Sequence, residues 1–270
     1  MRFAIAYYKD NIAGKNIVER FKKLGFNPQV PIIELKKETI YSEGFDKKYP
    51  ELKNVDFIVF ASTHKSEKKF PSLCLHAPGN WRGNDLGGQA GKVCNTSAYV
   101  LKYLFKEFEK NFNKTKKELN EEYNLTLEVT HHGPLIDMPC CFIELGSNEK
   151  QWTDKKAADI VAKTILSLQD LDKKKFEEWI PCIGIGGPHY APNFTKIQLN
   201  SNYAIGHIIP EYGLPLSDVM LKEAEEKTLE QVKEILVDWK GCGKSEQRQQ
   251  VVDIIKKSGL KYTRTKAVEK

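Results

Sequence analysis

Two adjacent histidines, His131 and His132, mark the part of this chain that is best equipped for chemistry. They follow an apolar run and precede the turn Gly133-Pro134, and a carboxylate, Glu144, lies on the next strand-like segment. Groups of titratable side chains at strand ends are typical of active sites in α/β proteins. We therefore predict that catalysis is centred on this segment and that the rest of the chain positions it.

Three further histidines occupy similar places in the sequence. His64, His76 and His189 each follow or end a predicted strand, whereas His207 lies within one. Because the carboxyl ends of parallel strands meet at one edge of a sheet, we expect the five strand-end histidines to converge on one crevice. A lone histidine is usually a structural residue, but five in equivalent places are hard to explain in that way.

Two chemistries suit such a cluster, and the sequence leaves both open. Neutral imidazoles and Glu144 can bind Zn²⁺ and leave one position for an activated water. Alternatively, one histidine acts as a general base on water without a metal. The chain has no His-Glu-x-x-His motif to favour the first. Since adjacent side chains of an extended backbone face opposite ways, only one of His131 and His132 is expected to face a given site, unless the turn that follows changes this.

Two glycine-rich stretches resemble phosphate-binding loops. Backbone N–H groups near Gly87-Gly88, together with Lys92, can bind a phosphate at the start of the next helix, although an ordinary turn explains the same pattern. The stretch 241–245 ends in the Gly-Lys-Ser of a P-loop, but Asp238 replaces the first glycine and the preceding segment is predicted to be a helix. We therefore predict that these glycines end one helix and that Ser245 caps the next.

Hydrophobic periodicity places these residues on alternating strands and helices. Apolar segments predict strands at 2–8, 30–35, 55–61, 73–76, 125–130, 140–145, 182–185 and 203–209. Helical spacing predicts helices at 12–24, 95–112 and 154–168, and two more within 217–257 that are separated by 241–243. This alternation is typical of an α/β fold. No linker divides the chain, so we predict one domain over 1–270, with a mobile tail from about 263.

Composition limits the compartment and the partners. No apolar run approaches the roughly 20 residues of a membrane helix, and the first residues do not have the pattern of a signal peptide. Six cysteines without a Cys-x-x-Cys motif indicate a reducing compartment, so we expect a cytoplasmic protein. The net charge of +6, with several lysine pairs, permits an anionic partner without requiring one.

Motifs around the histidines carry a resemblance to a known family. In chain order they are Ser62-x-His64-x-Ser66, His76-x-Pro78-Gly79-Asn80-Trp81, Gly87-Gly88, Thr130-His131-His132-Gly133-Pro134, Glu144-x-Gly146-Ser147 with Trp152, Gly186-Gly187-x-His189-Tyr190-Ala191-Pro192, and Gly206-His207. Over about residues 2–210 the chain resembles the archaeal and plant type of D-aminoacyl-tRNA deacylase. The motifs are too long and too specific for chance similarity to be a good explanation.

The resemblance implies a fold and an activity. The fold is a three-layer α/β/α arrangement with a mixed, mostly parallel sheet, similar to nucleoside phosphorylases and peptidyl-tRNA hydrolases. The activity is hydrolysis of the ester between a D-amino acid and the 3′-terminal ribose of tRNA, which recycles tRNA and keeps D-amino acids out of translation. Zinc dependence is attributed to the family. The implied partner is D-aminoacyl-tRNA, contacted at its 3′ end and acceptor stem by a monomer or small homo-oligomer.

Expected roles follow for individual residues. His132 is the expected general base, or the residue that orients the water, with His131 and Glu144 also catalytic. The expected metal ligands or polarising groups are His131, His189, His207 and Glu144. The expected substrate-binding residues are Asn80, Trp81, Gly87, Gly88, Lys92, His64, His76 and Tyr190. Of these, Trp81 or Tyr190 would stack on the terminal adenine, and lysine pairs would meet acceptor-stem phosphates.

Two other functions fit the same residues. One is a metal-dependent hydrolase or nucleoside phosphorylase-like enzyme that acts on a small metabolite. The other is a tRNA-binding protein without catalytic activity. An assay of turnover and binding with D- and L-aminoacyl-tRNA distinguishes all three functions.

Overall fold

The computed structural model describes residues 1–268, apart from the side chains of residues 173 and 175. Its strands are β1 (Phe3–Tyr8), β2 (Ile32–Leu35), β3 (Phe57–Lys65), β4 (Ser72–His76), β5 (Gly79–Asn80), β6 (Lys92–Val93), β7 (Asn124–Leu127), β8 (Cys140–Ser147), β9 (Ile180–Ile185), β10 (Tyr203–Ile209), β11 (Glu234–Val237) and β12 (Lys261–Arg264). Its α-helices are α1 (Ile12–Lys23), α2 (Ala98–Thr115), α3 (Glu149–Trp152), α4 (Lys155–Leu166), α5 (Pro192–Asn200), α6 (Asp218–Glu226), α7 (Ser245–Ser258) and α8 (Thr265–Val268). Within the described range, no helix combines the length and the apolar character needed to cross a membrane.

The larger sheet has six strands in the order β2-β1-β3-β8-β4-β7. Its neighbouring strands are parallel except for β8 and β4, which are antiparallel. The expected α/β fold with a mixed, mostly parallel arrangement of strands is confirmed. β3 is longer than predicted and continues to Lys65, so His64 lies inside the strand and not after it.

The smaller sheet has four parallel strands in the order β10-β9-β11-β12. Its strand β11 corrects the prediction that 217–257 holds only two helices, because β11 lies between α6 and α7. Ile235, Leu236 and Val237 are fully buried where β11 pairs with β9 on one side and β12 on the other. An apolar run this short cannot be assigned to a strand or a helix from its periodicity. Ser245 is the first residue of α7, and Lys244 occupies the N-cap position.

Residues 263–268 also belong to the fold, which corrects the prediction of a mobile tail. β12 pairs with β11 in a register that sets Arg264 opposite Val237, and α8 lies against α5. Residues 269 and 270 of that predicted tail lie outside the described residues. One hydrophobic cluster contains Leu145 of the larger sheet and Leu236 of the smaller one, which favours the expectation of a single domain.

The two faces of the larger sheet have different chemical character. On one face, Val59, Ala61 and Leu145 belong to the hydrophobic core that includes α1, α2 and α4. On the other face lie His64 and Glu144, because successive side chains of a strand point to opposite sides. This second face also carries a buried apolar cluster that includes Phe60 and Phe142, so His64 and Glu144 are polar residues beside a second core.

Candidate active site

Seven titratable side chains meet on the face of the larger sheet that carries His64 and Glu144. Together they form the histidine–glutamate cluster, which consists of His64, His76, Glu128, His131, His132, Glu144 and His189. Each of them is buried or half-buried. The structure thus brings together the five strand-end histidines that the sequence singled out, and Glu144 with them.

Four neighbouring strands position His64, Glu144, His76 and Glu128. The registers between β3 and β8, between β8 and β4, and between β4 and β7 put these side chains on one face of the sheet. β4 runs antiparallel to β8, so His76 does not share a carboxyl edge with His64. The cluster therefore lies over the face of the sheet, and not only at its edge.

The other three histidines come from loops. His131 and His132 follow β7, and His189 lies between β9 and α5. The φ angle of His132 is +45°, which interrupts the extended backbone and allows two adjacent rings to reach the same cluster. The centroid of the His131 ring lies 4.3 Å from that of His132, 4.1 Å from that of His76 and 4.5 Å from that of His189.

The hydrogen bonds of three histidines fix their tautomers. In His76, His131 and His132, Nδ1 lies 3.1, 2.8 and 2.7 Å from a backbone carbonyl oxygen. A carbonyl oxygen only accepts, so Nδ1 is the donor and Nε2 keeps a lone pair in each neutral ring. Burial lowers the pKa of His76 to about 3, that of His132 to about 4, and that of His131 well below its ordinary value. Three neutral imidazoles therefore present Nε2 lone pairs at neutral pH.

The two carboxylates of the cluster carry different charges. Burial and the nearby charge of Glu128 raise the pKa of Glu144 to about 7, although His64 opposes this shift. Burial also disfavours the charge of Glu128, but His189, His64 and His76 outweigh it and lower the pKa of Glu128 to about 2. Two neighbouring buried carboxylates rarely ionise together. Glu128 therefore holds the negative charge, and Glu144 exchanges a proton near neutral pH.

Glu128 is poorly satisfied for a buried carboxylate. His189 Nε2 and His64 Nδ1 lie 3.2 and 3.4 Å from its Oε1, yet no described residue gives either oxygen a well-aligned hydrogen bond. A buried charge without hydrogen bonds is costly, and a cation can offset that cost. The ligand atoms of Glu128, His131 and His189 lie within 4.8 Å of one another, as do those of His76, His131 and His132. This donor set fits a divalent metal such as Zn²⁺.

Two tyrosines hold histidine rings of the cluster. The Tyr190 hydroxyl lies 3.2 Å from Nε2 of His64, and the Tyr212 hydroxyl lies 3.2 Å from Nδ1 of His189. Burial favours the neutral ring of His64, but the interaction with Glu144 and the charge of Glu128 raise its pKa. Tyr190 is half-buried beside the cluster, where the sequence places it, and its hydroxyl is already engaged with a histidine.

A cavity of about 760 Å³ opens over the cluster. One wall consists of cluster members, namely His64, His131, His132, Glu144 and His189. The lining also contains a polar group in which Asn11 accepts from the Thr63 hydroxyl at 2.7 Å and donates to Glu38 at 3.1 Å. Exposed apolar side chains of Ile12 and Leu86 also line the cavity. Its volume is typical of small-molecule sites.

His207 does not join the cluster. It is fully buried, its Nδ1 lies 3.1 Å from the Thr130 hydroxyl, and its ring stands edge-on to Trp81. Burial lowers the pKa of His207 to about 4. This position contradicts the expected metal role and makes His207 a support for Thr130, the residue before His131.

The positions of Trp81 and Lys92 also do not support the expectation that these residues bind substrate. Trp81 is 6% exposed and donates from Nε1 to the carbonyl oxygen of Ile208, so its ring faces are not available to a base. Lys92 makes an ion pair of 3.0 Å with Glu223, so its positive charge is already neutralised and is not free for a phosphate.

Asn80, Gly87 and Gly88 support the loop beside the histidine pair. Asn80 donates to the carbonyl oxygen of Gly87 at 2.7 Å, and the N–H of Gly88 donates to Glu43 at 2.6 Å. Both glycines have a φ of +75°, and a Cβ on Gly88 would lie 3.2 Å from Cα of Gly133. These glycines therefore allow close packing against the turn after His132, and the expected phosphate contact finds no support here.

Sequence analysis does not identify Glu128. In the predicted strand 125–130, Leu127 and Val129 belong to the core, and their neighbours alternate with them. The period of two therefore sets Glu128 on the same side as Thr130, facing away from the core. The alternation therefore indicates which way Glu128 faces. It does not show that Glu128 belongs to a site, because that depends on the neighbouring positions of β4 and β8 in the sheet.

Residues 51–263 match the family model described as D-aminoacyl-tRNA deacylase. The chain belongs to this family. The D-aminoacyl-tRNA deacylase of Thermococcus kodakarensis is 38% identical over 240 residues, which cover 87% of this chain and 84% of that protein. The D-aminoacyl-tRNA deacylase of Methanocaldococcus jannaschii is 33% identical over 269 residues, which cover 98% and 100%. The resemblance carried by the histidine motifs is confirmed.

A solved structure shares the fold. The crystal structure of a conserved protein of unknown function superimposes with a TM-score of 0.88 and 26% identity, covering 99% of this chain and 96% of that chain. The similarity therefore extends over both sheets and includes the C-terminal elements that sequence analysis assigned incorrectly.

Proposed function

We propose that this chain hydrolyses the ester between a D-amino acid and the 3′-terminal ribose of tRNA. Membership of the deacylase family supports the reaction class. The observation that carries the proposal is the set of neutral Nε2 lone pairs beside a carboxylate pair at the wall of a cavity. Ester hydrolysis requires a group that takes a proton from water, and these groups are suited to it. Such a reaction belongs in the cytoplasm, where tRNA is charged.

His132 is the proposed general base. Its Nδ1 is held by the Gly133 carbonyl oxygen, so Nε2 is left to take a proton from a water in the cavity. Glu144 Oε1 lies 3.9 Å from that Nε2, and its pKa of about 7 suits it to receive the proton and return it to the leaving ribose oxygen. Glu128 stays ionised and stabilises the positive charge that develops on the rings.

His64 is proposed to stabilise the oxyanion through its positive charge. Three glycine N–H groups are already engaged and so do not serve as donors to the oxyanion, since Gly88 donates to Glu43, Gly186 to Ile209 and Gly187 to Gly241. His64 lines the cavity and its raised pKa favours the charged ring. A positive charge fixed in a buried site stabilises negative charge well, because it needs little reorganisation during the reaction.

We further propose that His131, His189 and Glu128 hold a divalent metal ion such as Zn²⁺. Two imidazoles and one glutamate are a known donor set of catalytic zinc sites, and the unsatisfied oxygens of Glu128 support the assignment. The Nδ1 atoms of both histidines are held by oxygen atoms, as is usual for histidines that bind zinc through the other ring nitrogen. The bound ion would lower the pKa of a water and polarise the ester carbonyl.

Turnover of matched D- and L-aminoacyl-tRNA tests the proposal. We expect the purified chain to release the amino acid from D-tyrosyl-tRNA and to leave L-tyrosyl-tRNA intact. Equal turnover of both forms would remove the stereospecific part of the proposal. Binding of tRNA without turnover would indicate a non-catalytic binding protein, and hydrolysis confined to small esters or nucleosides would indicate the metabolite hydrolase.

A further inference from the structure

The net charge of the chain is concentrated at its C-terminal end. Residues 1–238 contain 33 basic and 33 acidic side chains, whereas residues 239–270 contain nine basic and three acidic ones. The whole excess of +6 therefore lies in the last 32 residues. A charge asymmetry of this kind indicates interaction with a polyanion.

The fold places this basic segment beside the candidate active site. β9, β11 and β12 are parallel neighbours, with Ile185 opposite Val237 and Val237 opposite Arg264. The loops that follow these strands leave the same edge of the smaller sheet, and the loop after β9 carries His189. Adjacent strands lie about 4.8 Å apart, so the end of β12 is roughly 10 Å from that of β9.

Direct contacts join the loop after β11 to the loop that carries His189. Gly187 donates its N–H to the carbonyl oxygen of Gly241 at 3.3 Å. The Asn193 side chain donates to Asp238 Oδ2 at 2.8 Å. The approach is close, because a Cβ on Gly241 would lie 2.1 Å from the Gly187 nitrogen. The basic loop is thus fixed relative to the cluster.

Five side chains at this edge form what we name the Trp239 surface: Trp239, Lys240, Lys244, Arg248 and Arg264. The guanidinium carbon of Arg264 lies 3.6 Å from the centroid of the Trp239 ring, and that of Arg248 lies 5.6 Å from it. Stacking on an aromatic ring orients a guanidinium while leaving its in-plane N–H groups directed outward. Such a group is suited to bidentate contact with a phosphate.

The basic side chains of this surface lack acidic partners. Among residues 1–268, no ion pair within 4.0 Å involves Lys240, Lys244, Arg248 or Arg264. Some basic residues elsewhere are neutralised, as Lys47 is by Asp137, Lys92 by Glu223 and Lys150 by Glu121. Four basic side chains around one aromatic ring, unpaired within residues 1–268, are therefore available to a polyanion here.

We propose that the Trp239 surface binds the sugar-phosphate backbone of the tRNA while the acylated ribose lies at the histidine–glutamate cluster. This inference rests on the proposed deacylase function. It selects, among the many basic residues of the chain, those that hold the nucleic acid close to the reacting end. Arg264 contacts a phosphate as an oriented fork, and Arg248, Lys240 and Lys244 contribute charge beside it.

Paired neutral substitutions test the proposal. We expect Arg248→Gln/Arg264→Gln and, separately, Lys240→Gln/Lys244→Gln to weaken binding of uncharged tRNA. Each pair should reduce the slope of log affinity against log salt by about 2, because each lost phosphate contact removes about 1. On D-tyrosyl-tRNA we expect KM to rise at least about tenfold with kcat preserved. The lysine pair is exposed, so it serves if the arginine pair fails to fold.

A matched control removes the same charge elsewhere. Lys114→Gln/Lys117→Gln neutralises two exposed lysines near the end of α2 and should leave both the salt slope and KM unchanged. The inference is overturned if wild type turns over D-tyrosyl-tRNA while the surface pairs behave like this control, or if they lower kcat without raising KM. If wild type does not turn over D-tyrosyl-tRNA, the proposed function is wrong. The salt dependence of tRNA affinity in the surface pairs then still shows whether this surface binds tRNA.

Discussion

At the scale of the residue, the neutral state of His132 is what makes it a base. A buried imidazole with a pKa of about 4 is unprotonated at pH 7, and its Nε2 can take a proton from water. We therefore expect His132→Ala to lower the rate of D-tyrosyl-tRNA deacylation at least about 100-fold, the usual scale of general-base catalysis. Initial rates at saturating substrate measure this loss, and a thermal melt of the variant shows whether the fold is intact.

His207→Gln is the matched control for that substitution, because His207 is a buried histidine outside the cluster. We expect this variant to keep most of its activity and to lose about 1–3 kcal/mol of unfolding free energy, since a hydrogen bond to Thr130 is disturbed. A folded His132→Ala protein with near-normal activity would contradict the role of His132. A folded His207→Gln protein as inactive as the His132 variant would restore the metal role that sequence analysis assigned.

Single residues differ in how far the sequence could reveal their roles. The pair of histidines and Glu144 are recognisable because their types and their places next to apolar strands are local properties. The burial of Trp81 is decided by the carbonyl oxygen of Ile208, 127 positions further along the chain. Nothing in the residues around Trp81 shows whether its ring packs against that strand or faces a substrate.

At the scale of the element, α2 shows how a helix can be anchored by a charge. Lys102, Lys106, Lys110 and Lys114 are spaced four apart, a pattern typical of a solvated face. Lys102 is nevertheless fully buried, and its Nζ donates to three backbone carbonyl oxygens at 2.8 Å, those of residues 198, 201 and 203. Burial lowers the pKa of Lys102 to about 7, whereas the three acceptors favour the ammonium form. The lysine thus ties α2 to the turn between α5 and β10.

We expect Lys102→Met to reduce the unfolding free energy by at least about 3 kcal/mol, because three carbonyl oxygens would lose their donor inside the protein. Denaturant unfolding followed by circular dichroism measures the change. Lys106→Met is the control on the same helix, where the side chain is exposed, and should change stability by no more than about 0.5 kcal/mol. Equal effects of the two substitutions would mean that the buried ammonium does not anchor α2.

Strand direction and sheet membership are the element properties that sequence analysis could not supply. β11 and β12 are short; β11 pairs with β9, which comes much earlier in the chain, and β12 pairs only with β11 among the described strands. β4 reads as an ordinary strand, but its antiparallel pairing with β8 decides where His76 points. Both properties arise from contacts over long sequence separations, which periodicity within a segment does not contain.

At the scale of the whole molecule, the cluster joins the two sheets. Glu128 and His131 follow a strand of the larger sheet, whereas His189 follows a strand of the smaller one. A metal ion held by these three side chains would connect both sheets, so its binding energy would add to the stability of the fold. The convergence of the histidines is predictable from the sequence, but their division between two sheets gives it a structural role as well as a catalytic one.

We therefore expect a chelator to abolish deacylation and to lower the melting temperature, and added Zn²⁺ to restore both. An ion at 100 times its Kd adds about 2.7 kcal/mol to stability. In a chain of this size, each kcal/mol of unfolding free energy changes the melting temperature by about 2–4 °C, which predicts a rise of roughly 5–10 °C on metal binding. Calorimetry and activity assays on the same samples measure the two effects.

The substitution Glu128→Gln distinguishes the effect of the metal on stability from the effect of the buried charge. Without metal, the variant should melt no lower than wild type, because a neutral amide replaces a carboxylate that lacks well-aligned hydrogen bonds. With Zn²⁺ present, it should lose the stabilisation that wild type gains, because one ligand is missing. A wild-type protein that keeps its rate and its melting temperature in the chelator, and contains no bound metal, would leave His132 and Glu144 to activate the water alone.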